Sequence, residues 1–466
     1  MALQPNEQPD SSVHKFESML KTDDIYFFDA EDFEDIIHHY LNTGKISLGK
    51  KAIQIGLQQH PNAIELKLLN VEVLVFEDDF DSAEKILNQL QEIDATNEEI
   101  YIQRANILSK KDDHQGAINM LIEALYIADN SFDIYSLLGM EYLFLDDFEN
   151  AKKNFIKCIE VDDKDYSSLY NVIYCFEFLE DFDGGIAYLN DYLERDPYSE
   201  IAWHQLGKLY TAKEMDKEAL TAFDFAIISD DSFLGAYFEK GKVLEKLGKY
   251  NEAIESYQTT IDKDDPTAHA YLRIGKCHEK LGNDDLAKYY YYNTVHEDPS
   301  LDKGWTAITE FYYRKENYKK ALKYINKAIN IDRENATYWQ RSAQIYTALE
   351  NYDEADYAFK QAVDLGNYEI KTWLDWATVL EKTSDFHSAL EVLLQGHKFY
   401  TDSAEFHFRL AGVYLKLDKI EKAKEKFIAA LKLNIEKINF FEQKYPEYAQ
   451  LTWVKDVFKV HKKAST

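Results

Sequence analysis

Proline, glycine and cysteine are all scarce in this sequence, with 7, 17 and 3 copies among 466 residues. So few breakers leave little room for linkers, although a chain of this length would ordinarily divide into about three domains. The composition that remains favours helix almost throughout. The three cysteines, Cys158, Cys175 and Cys277, form no paired framework and suit a reducing cytoplasm. Long apolar runs are missing too, since no stretch approaches the about 18 apolar residues of a membrane span. The opening MALQPNEQPDSSVHKF lacks the basic-then-apolar order of a secretory signal. Positive charge is in deficit. The net charge is −31, and residues 1–200, with 42 acidic and 15 basic side chains, account for −27 of it. Such a chain repels phosphate backbones and anionic lipid, so nucleic-acid binding and membrane insertion are excluded as expectations.

What the sequence does have is a period. Aligned on Trp203, Leu206, Gly207, Tyr210, Ala219, Phe223 and Ala226, steps of 34 residues tile residues 30–437 as twelve repeats without insertion. The twentieth position of every repeat is Ala or Gly, from Gly49 and Ala83 to Ala389 and Ala423. The twenty-fourth is always large, for example Ile53, Phe155, Phe223, Tyr257, Tyr291 and Phe427. Small residues recur at the eighth position, including Gly139, Gly207, Gly241 and Gly275. Two helices approach closely only where side chains are small, so the eighth and twentieth residues are expected to meet, with the larger ones filling the space around them. Spacings of three and four keep each set on one helix face. A single hairpin cannot bury its apolar face alone, and stacking on its neighbours follows.

The order Trp-x2-Leu-Gly-x2-Tyr, then Ala, then Phe, then Ala resembles the tetratricopeptide repeat. The resemblance implies an all-α, right-handed superhelical solenoid of about twelve helix-turn-helix repeats, with an inner groove lined by the first helix of each pair. It brings no catalytic residues. Lys67 and His407 depart from it by replacing the aromatic at the fourth position. Outside the repeats, residues 1–29 are expected to hold a disordered start, over residues 1–12, and a short leading helix from Val13 to Lys21. Residues 438–466 are expected to supply a capping helix and tail. That helix should run from Glu447 towards Lys463, with Leu451, Val454, Val457 and Phe458 on its inner face.

At about 100° per residue, the second, sixth, ninth and thirteenth positions of each first helix face away from the packed side, towards the expected groove. In repeats 6 to 10 they hold Lys208, Lys242, Lys246, Arg273, Lys276, Lys280, Lys303, Arg314 and Arg341, a basic stripe in an acidic chain. Glu239, Glu245, Glu279 and Glu310 interrupt it and offer partners for some of these cations. A cradle for an acidic or phosphorylated segment is one reading, and a solvated, self-balanced face is the other. In repeats 1 to 5 the same positions carry Glu31, Asp35, Glu65, Glu72, Glu99 and Asp133, with Met140, Phe144, Tyr170, Tyr174 and Phe178 towards the middle. Aromatics here could anchor an apolar side chain or merely touch the next repeat. No repeat has the paired Lys and Asn by which chaperone-binding relatives clamp a carboxylate, so chaperone-tail binding is not expected.

Other chemistry is sparse. His38 and His39, with Glu34 and Asp35, lack a third ligand for a metal. Acidic stretches such as Glu77-Asp78-Asp79-Phe80-Asp81 lack calcium-loop spacing and read as connecting turns. Glycine-rich phosphate loops and nucleophile elbows are missing, and no cofactor is implied. Fewer than 60 residues lie outside the repeats. The expected function is therefore a non-catalytic, cytoplasmic scaffold or adaptor for a protein or peptide. The alternatives are a subunit of a larger or self-associated assembly docked through the acidic repeats, and a regulator that sequesters an enzyme.

Overall fold

The structure, a computed structural model, describes residues 9–22, 26–128, 130–263 and 267–465. Among the described residues it is helical throughout and forms twelve helical hairpins. Repeat 1 pairs Ala30–Asn42 with Ile46–Gln59, repeat 2 pairs Ile64–Phe76 with Phe80–Ile93, and repeat 12 pairs Ala404–Lys416 with Ile420–Leu433. Each first helix begins on the residue that opens its 34-residue repeat. The chain divides into two compact bodies, Met1–Asp230 with repeats 1 to 6 and Asp231–Thr466 with repeats 7 to 12 and the C-terminal segment.

The period holds because of how each hairpin closes. Every residue at the twentieth and twenty-fourth positions is buried. A Cβ at Gly139, Gly207, Gly241 or Gly275 would lie 2.5–2.6 Å from the ring of Phe155, Phe223, Tyr257 or Tyr291 respectively. The same atom at Gly275 would also stand 3.4 Å from the carbonyl of Ala287, at the twentieth position. At Gly275 the two small residues do meet, as expected. What fills the close space in these four repeats is the ring at position twenty-four, packed against the eighth residue. Burying a ring of that kind contributes roughly 1.5–3 kcal/mol in each hairpin that carries one.

The turns explain much of the acidity. The fifteenth residue of every repeat is left-handed, with φ between 54° and 77°, yet only Gly44, Gly248 and Gly282 are glycine there. Asp78, Asp112, Asp146, Glu180 and Glu316 take the same conformation despite a Cβ. The sixteenth residue then caps the second helix. Asp79, Asp113, Asp147, Asp181 and Asp385 each accept from the backbone N–H three residues on.

The fourth residue closes the loop from the preceding repeat. Tyr101, Trp203, Trp305 and Trp339 each donate to the carbonyl six residues upstream. His407, a departure from the pattern by residue type, does the same through Nε2 to the carbonyl of Thr401 at 3.0 Å. In these five repeats a polar ring edge makes the bond, whereas Phe33 and Leu169 fill the same position without one.

Both ends differ from expectation. The leading helix spans Pro9–Thr22, so residues 9–12 are helical, while residues 1–8 lie outside the described residues. Proline is tolerated at a first helical position because the N–H it lacks has no intrahelical partner there. Val13, Phe16 and Met19 then pack on Phe28, Phe33 and Tyr40. At the C-terminus, the single helix expected from Glu447 is broken into Pro446–Ala449 and Thr452–Ser465, and a further helix, Ile438–Lys444, precedes them. Pro446 disfavours helix at Tyr445 and stops that preceding helix. The last piece packs Val454, Val457 and Phe458 into the core of repeats 11 and 12.

Two predictions follow from these local chemistries. Glu316→Gly, in repeat 9, removes a Cβ from a left-handed residue and should raise the melting temperature, with a gain on the order of 0.5–1 kcal/mol. Gly248→Val, at the same position of repeat 7, should lower it, and calorimetry on both variants checks the sign. His397 and His407 stack edge to face with centroids 4.6 Å apart. Both are held below the usual imidazole range, by burial first, with Lys426 adding to the effect. For a base whose folded pKa is lowered, stability is complete above the unfolded pKa of about 6.5 and is lost as pH falls below it. Melting temperature should therefore drop between pH 7.5 and 5.5, and the drop should shrink in His407→Phe.

Candidate functional site

The first helices of the two bodies present walls of opposite character. In the second body the three arginines of the expected basic stripe prove to be ion-paired with carboxylates of the preceding repeat. The sixth position, taken as a free groove position, instead wedges towards the preceding repeat. From there Arg273 reaches Glu245 at 2.9 Å, Arg341 reaches Glu310 at 2.6 Å and Arg409 reaches Glu381 at 2.5 Å. Arg314, at the thirteenth position, pairs with Glu279 at 2.9 Å. Lys242 pairs within its own helix with Glu239 at 2.8 Å. Lys208, in the first body, lies 3.8 Å from Glu177 and bonds Gln205. Exposed pairs of this kind contribute about 0.2–1 kcal/mol each. The buried Arg409–Glu381 pair is different, because removing either partner would strand a charge at a cost of about 3–5 kcal/mol.

Lys276, Lys280 and Lys303 differ: among the described residues none of them has a carboxylate within ion-pair distance, although the arginines around Lys276 are paired. Burial, and then the Arg273 guanidinium, hold the Lys276 ammonium below the usual lysine range, with Lys303 acting in the same direction and Glu245 and Glu279 opposing. Lys276 and Lys303 both keep exposed surface. Lys280 and Lys246 are exposed one turn further along their helices.

The first body's wall carries the reverse charge. Glu31, Glu65, Glu99 and Asp133 occupy the second position of repeats 1 to 4, one above another in the 34-residue register, with Glu34 and Glu72 nearby on the same helices. Among the described residues none of these six carboxylates has a cationic partner within ion-pair distance. Glu99 is held above the usual carboxylate range by burial, with Glu72, Glu98 and Asp133 adding to it and the Gln103 hydrogen bond opposing it. Glu34 is raised by burial and then by Glu65 and Glu31. Gln103 is only 6% exposed. Its Nε2 donates to Glu99 at 2.7 Å, while its Oε1 has no donor.

Further along the same wall, Met140, Phe144, Tyr170, Tyr174 and Phe178 are exposed. Phe178, 58% exposed, stacks on the buried Phe148 at 4.1 Å. Tyr174, 47% exposed, meets Phe148 edge-on and lies 5.8 Å from Phe178. Phe144 stacks on His114 at 4.8 Å. Phe144, Tyr174 and Phe178 thus each touch the neighbouring helix and keep part of the ring in solvent.

Sequence reasoning missed the C-terminal occupant of the wall in repeats 11 and 12. Tyr445 is buried there, and a Cβ at Gly412 would lie 2.0 Å from its ring. Its hydroxyl donates to Glu381 at 3.2 Å, and Lys444 donates to Thr378 at 3.2 Å. Burial, reinforced by Arg409, pushes the Lys444 ammonium down to about 8. The clue was Gly412 at a ninth position, where no other repeat needs glycine. The cysteines sit in packing roles. All three are buried, and burial pushes the Cys175 thiol up to about 11 and raises Cys158 and Cys277 as well. No helix is long and apolar enough to cross a membrane among the described residues.

Comparison with known proteins agrees with this architecture. Residues 231–444 match the model of the C-terminal domain of cilia and flagella-associated protein 70, a tetratricopeptide-repeat domain. Residues 98–131 and 132–165 each match the single tetratricopeptide repeat, in the register of repeats 3 and 4. No curated protein sequence matches the chain. Among solved structures, the APC/C hetero-tetramer Cut9–Hcn1 is similar at 15% identity over 90% of this chain and 94% of that one, with a TM-score of 0.39. A tetratricopeptide protein from Parabacteroides merdae is 15% identical over 54% of this chain and 99% of its own, at 0.41. YrrB, a repeat protein with an unusual peptide-binding site, is 17% identical over 42% and 97%, at 0.34. With its period, its paired helices and these family matches, the chain belongs to the tetratricopeptide-repeat family.

Proposed function

We propose that this chain is a non-catalytic scaffold that holds a protein or peptide partner against its first-helix walls. An acidic segment of that partner is taken at Arg273, Lys276 and Lys303 in repeats 8 and 9. The observation that carries the reading is that Lys276 and Lys303 have no carboxylate within ion-pair distance among the described residues, while the arginines beside Lys276 are paired. A ligand carboxylate or phosphate placed there would relieve the repulsion from Arg273 and Lys303 and form charge-assisted hydrogen bonds. Lys242, Arg314 and Arg341 of the wall are already paired and serve to fix the helices. Lys208, Lys242, Lys246, Lys280, Arg314 and Arg341 contribute a long-range field more than direct contacts. Three buried thiols without disulfides fit a reducing compartment, and a cytoplasmic setting follows from that.

The test uses the full chain and a fluorescein-labelled, glutamate-rich peptide. Lys276→Glu with Lys303→Glu should weaken binding by more than about tenfold, as expected when two close attractions become repulsions. Lys276→Gln with Lys303→Gln should fall between. Lys288→Glu, an exposed reversal on the second helix of repeat 8, should leave the affinity near that of the parent. Equal binding by the parent and the double reversal would remove the reading.

A further inference from the structure

We infer that the first-helix wall of repeats 1 to 5 is a second docking surface, which takes a protein segment carrying basic side chains and a bulky apolar anchor. The basic side chains meet Glu65, Glu99, Asp133 and the open oxygen of Gln103. The anchor rests on Tyr174 and Phe178. The surface is independent of the acidic-segment site described above, because it lies in the other body and carries the opposite charge.

Three observations converge. The carboxylates recur at one position of successive repeats, so the register that fixes the fold also stacks like charges beside one another. Like charges so placed weaken a helical array unless something neutralises them. In the second body, arginines at the sixth position do this for the carboxylates of the preceding repeat. In repeats 1 to 5 the sixth position holds Asp35, Leu69, Gln103, Leu137 and Asn171, none of which can.

The second observation is Gln103. A buried amide oxygen without a donor is costly to leave unmet. It belongs to the same hydrogen-bonded group as Glu99, where an incoming ammonium or guanidinium could bond both. The raised carboxylate range of Glu99 and Glu34 has the same origin in burial and like charge.

The third observation is the aromatic strip. Tyr174 and Phe178 are immobilised against Phe148 before any partner arrives, so little side-chain freedom remains to be lost on binding. Rigid, half-exposed rings beside unpaired carboxylates complement an amphipathic basic segment in both charge and shape. An acidic or purely polar segment finds no such match here.

The experiment uses the full chain and two labelled peptides of about 18 residues, five helical turns. One is built from Lys, Leu and Trp with the lysines on one face, and the other has every Lys replaced by Glu. Fluorescence anisotropy should show binding of the lysine peptide only, weakening between about 0.05 and 0.5 M salt. Glu65→Gln, Glu99→Gln and Asp133→Asn together should weaken it about tenfold, and so should Tyr174→Ala with Phe178→Ala. A control set, Asp112→Asn, Asp146→Asn and Glu180→Gln, neutralises three exposed turn carboxylates in the same body and should change the affinity by less than about twofold.

The neutralised wall should melt at or above the parent temperature, since it removes repulsion. Loss of binding together with undiminished stability excludes misfolding as the cause. If the turn control weakens binding as much as the wall set, the attraction is diffuse and the inference is overturned. It is equally overturned if the parent fails to bind the lysine peptide, or if the ring variants bind like the parent. The glutamate-rich probe reads the other body, so loss of one binding without the other identifies which reading has failed.

Discussion

Every repeat depends on one close approach: a large buried side chain at position twenty-four sits beside the alanine or glycine at position twenty, which lets the helix backbones come together. Where the eighth residue is glycine, in repeats 4, 6, 7 and 8, the side chain that closes the hairpin is an aromatic ring. At Gly207, Gly241 and Gly275 the ring already occupies the space a methyl group would take. Interiors packed to this density do not tolerate drift, so the helices cannot slide along each other without losing the contact. The 34-residue pitch is the sequence-level record of that constraint. It determines which side chains of successive repeats stand beside one another on the open wall.

The acidity of the chain has two separate sources once the turns are understood. One source is local conformation. The fifteenth residue must be left-handed and the sixteenth must cap a helix, and short polar side chains serve both purposes. Asp146 and Asp147, or Asp112 and Asp113, are acidic for reasons of backbone geometry and need no partner outside the chain. The other source is the column at the second position of repeats 1 to 4. A carboxylate there lies in the first turn of its helix, whose N-terminus favours negative charge, but among the described residues none of the four has a cationic partner within ion-pair distance. The distinction matters because net charge alone, −31 for the chain, does not separate them.

The hairpins were legible in the sequence almost to the residue, since packing at positions eight, twenty and twenty-four leaves a repeated trace. The pairing state of the wall was not. Which cations of the basic stripe stay free depends on how far a side chain reaches across to the preceding repeat. Arg273 and Glu245 are 28 residues apart, a relation that helical periodicity within one repeat does not report. His407 looked like a departure because residue type was compared, whereas the shared property is a hydrogen bond to the carbonyl six residues earlier. The C-terminal segment was mistaken for one helix because Pro446 reads as a good start. Its role as a stop for Ile438–Lys444, which brings Tyr445 against Gly412, needs the third dimension.

The two walls then differ by what occupies one position. Arginine at the sixth residue of repeats 8, 10 and 12 reaches back to the carboxylates of repeats 7, 9 and 11 and compensates them, while lysines such as Lys276 and Lys303 keep no carboxylate within ion-pair distance among the described residues. The same scaffold in repeats 1 to 5 accepts aspartate, leucine, glutamine or asparagine there, and its carboxylates stay uncompensated. Since the hairpin geometry is common to all repeats, the fold does not impose this difference. A repeat array can place arginine at that position wherever an internal pair is wanted, because the side chain needs only to span to the helix before it. Its use in one body and not in the other leaves two surfaces with opposite unmet charge, each held at a fixed pitch by the contact beneath it.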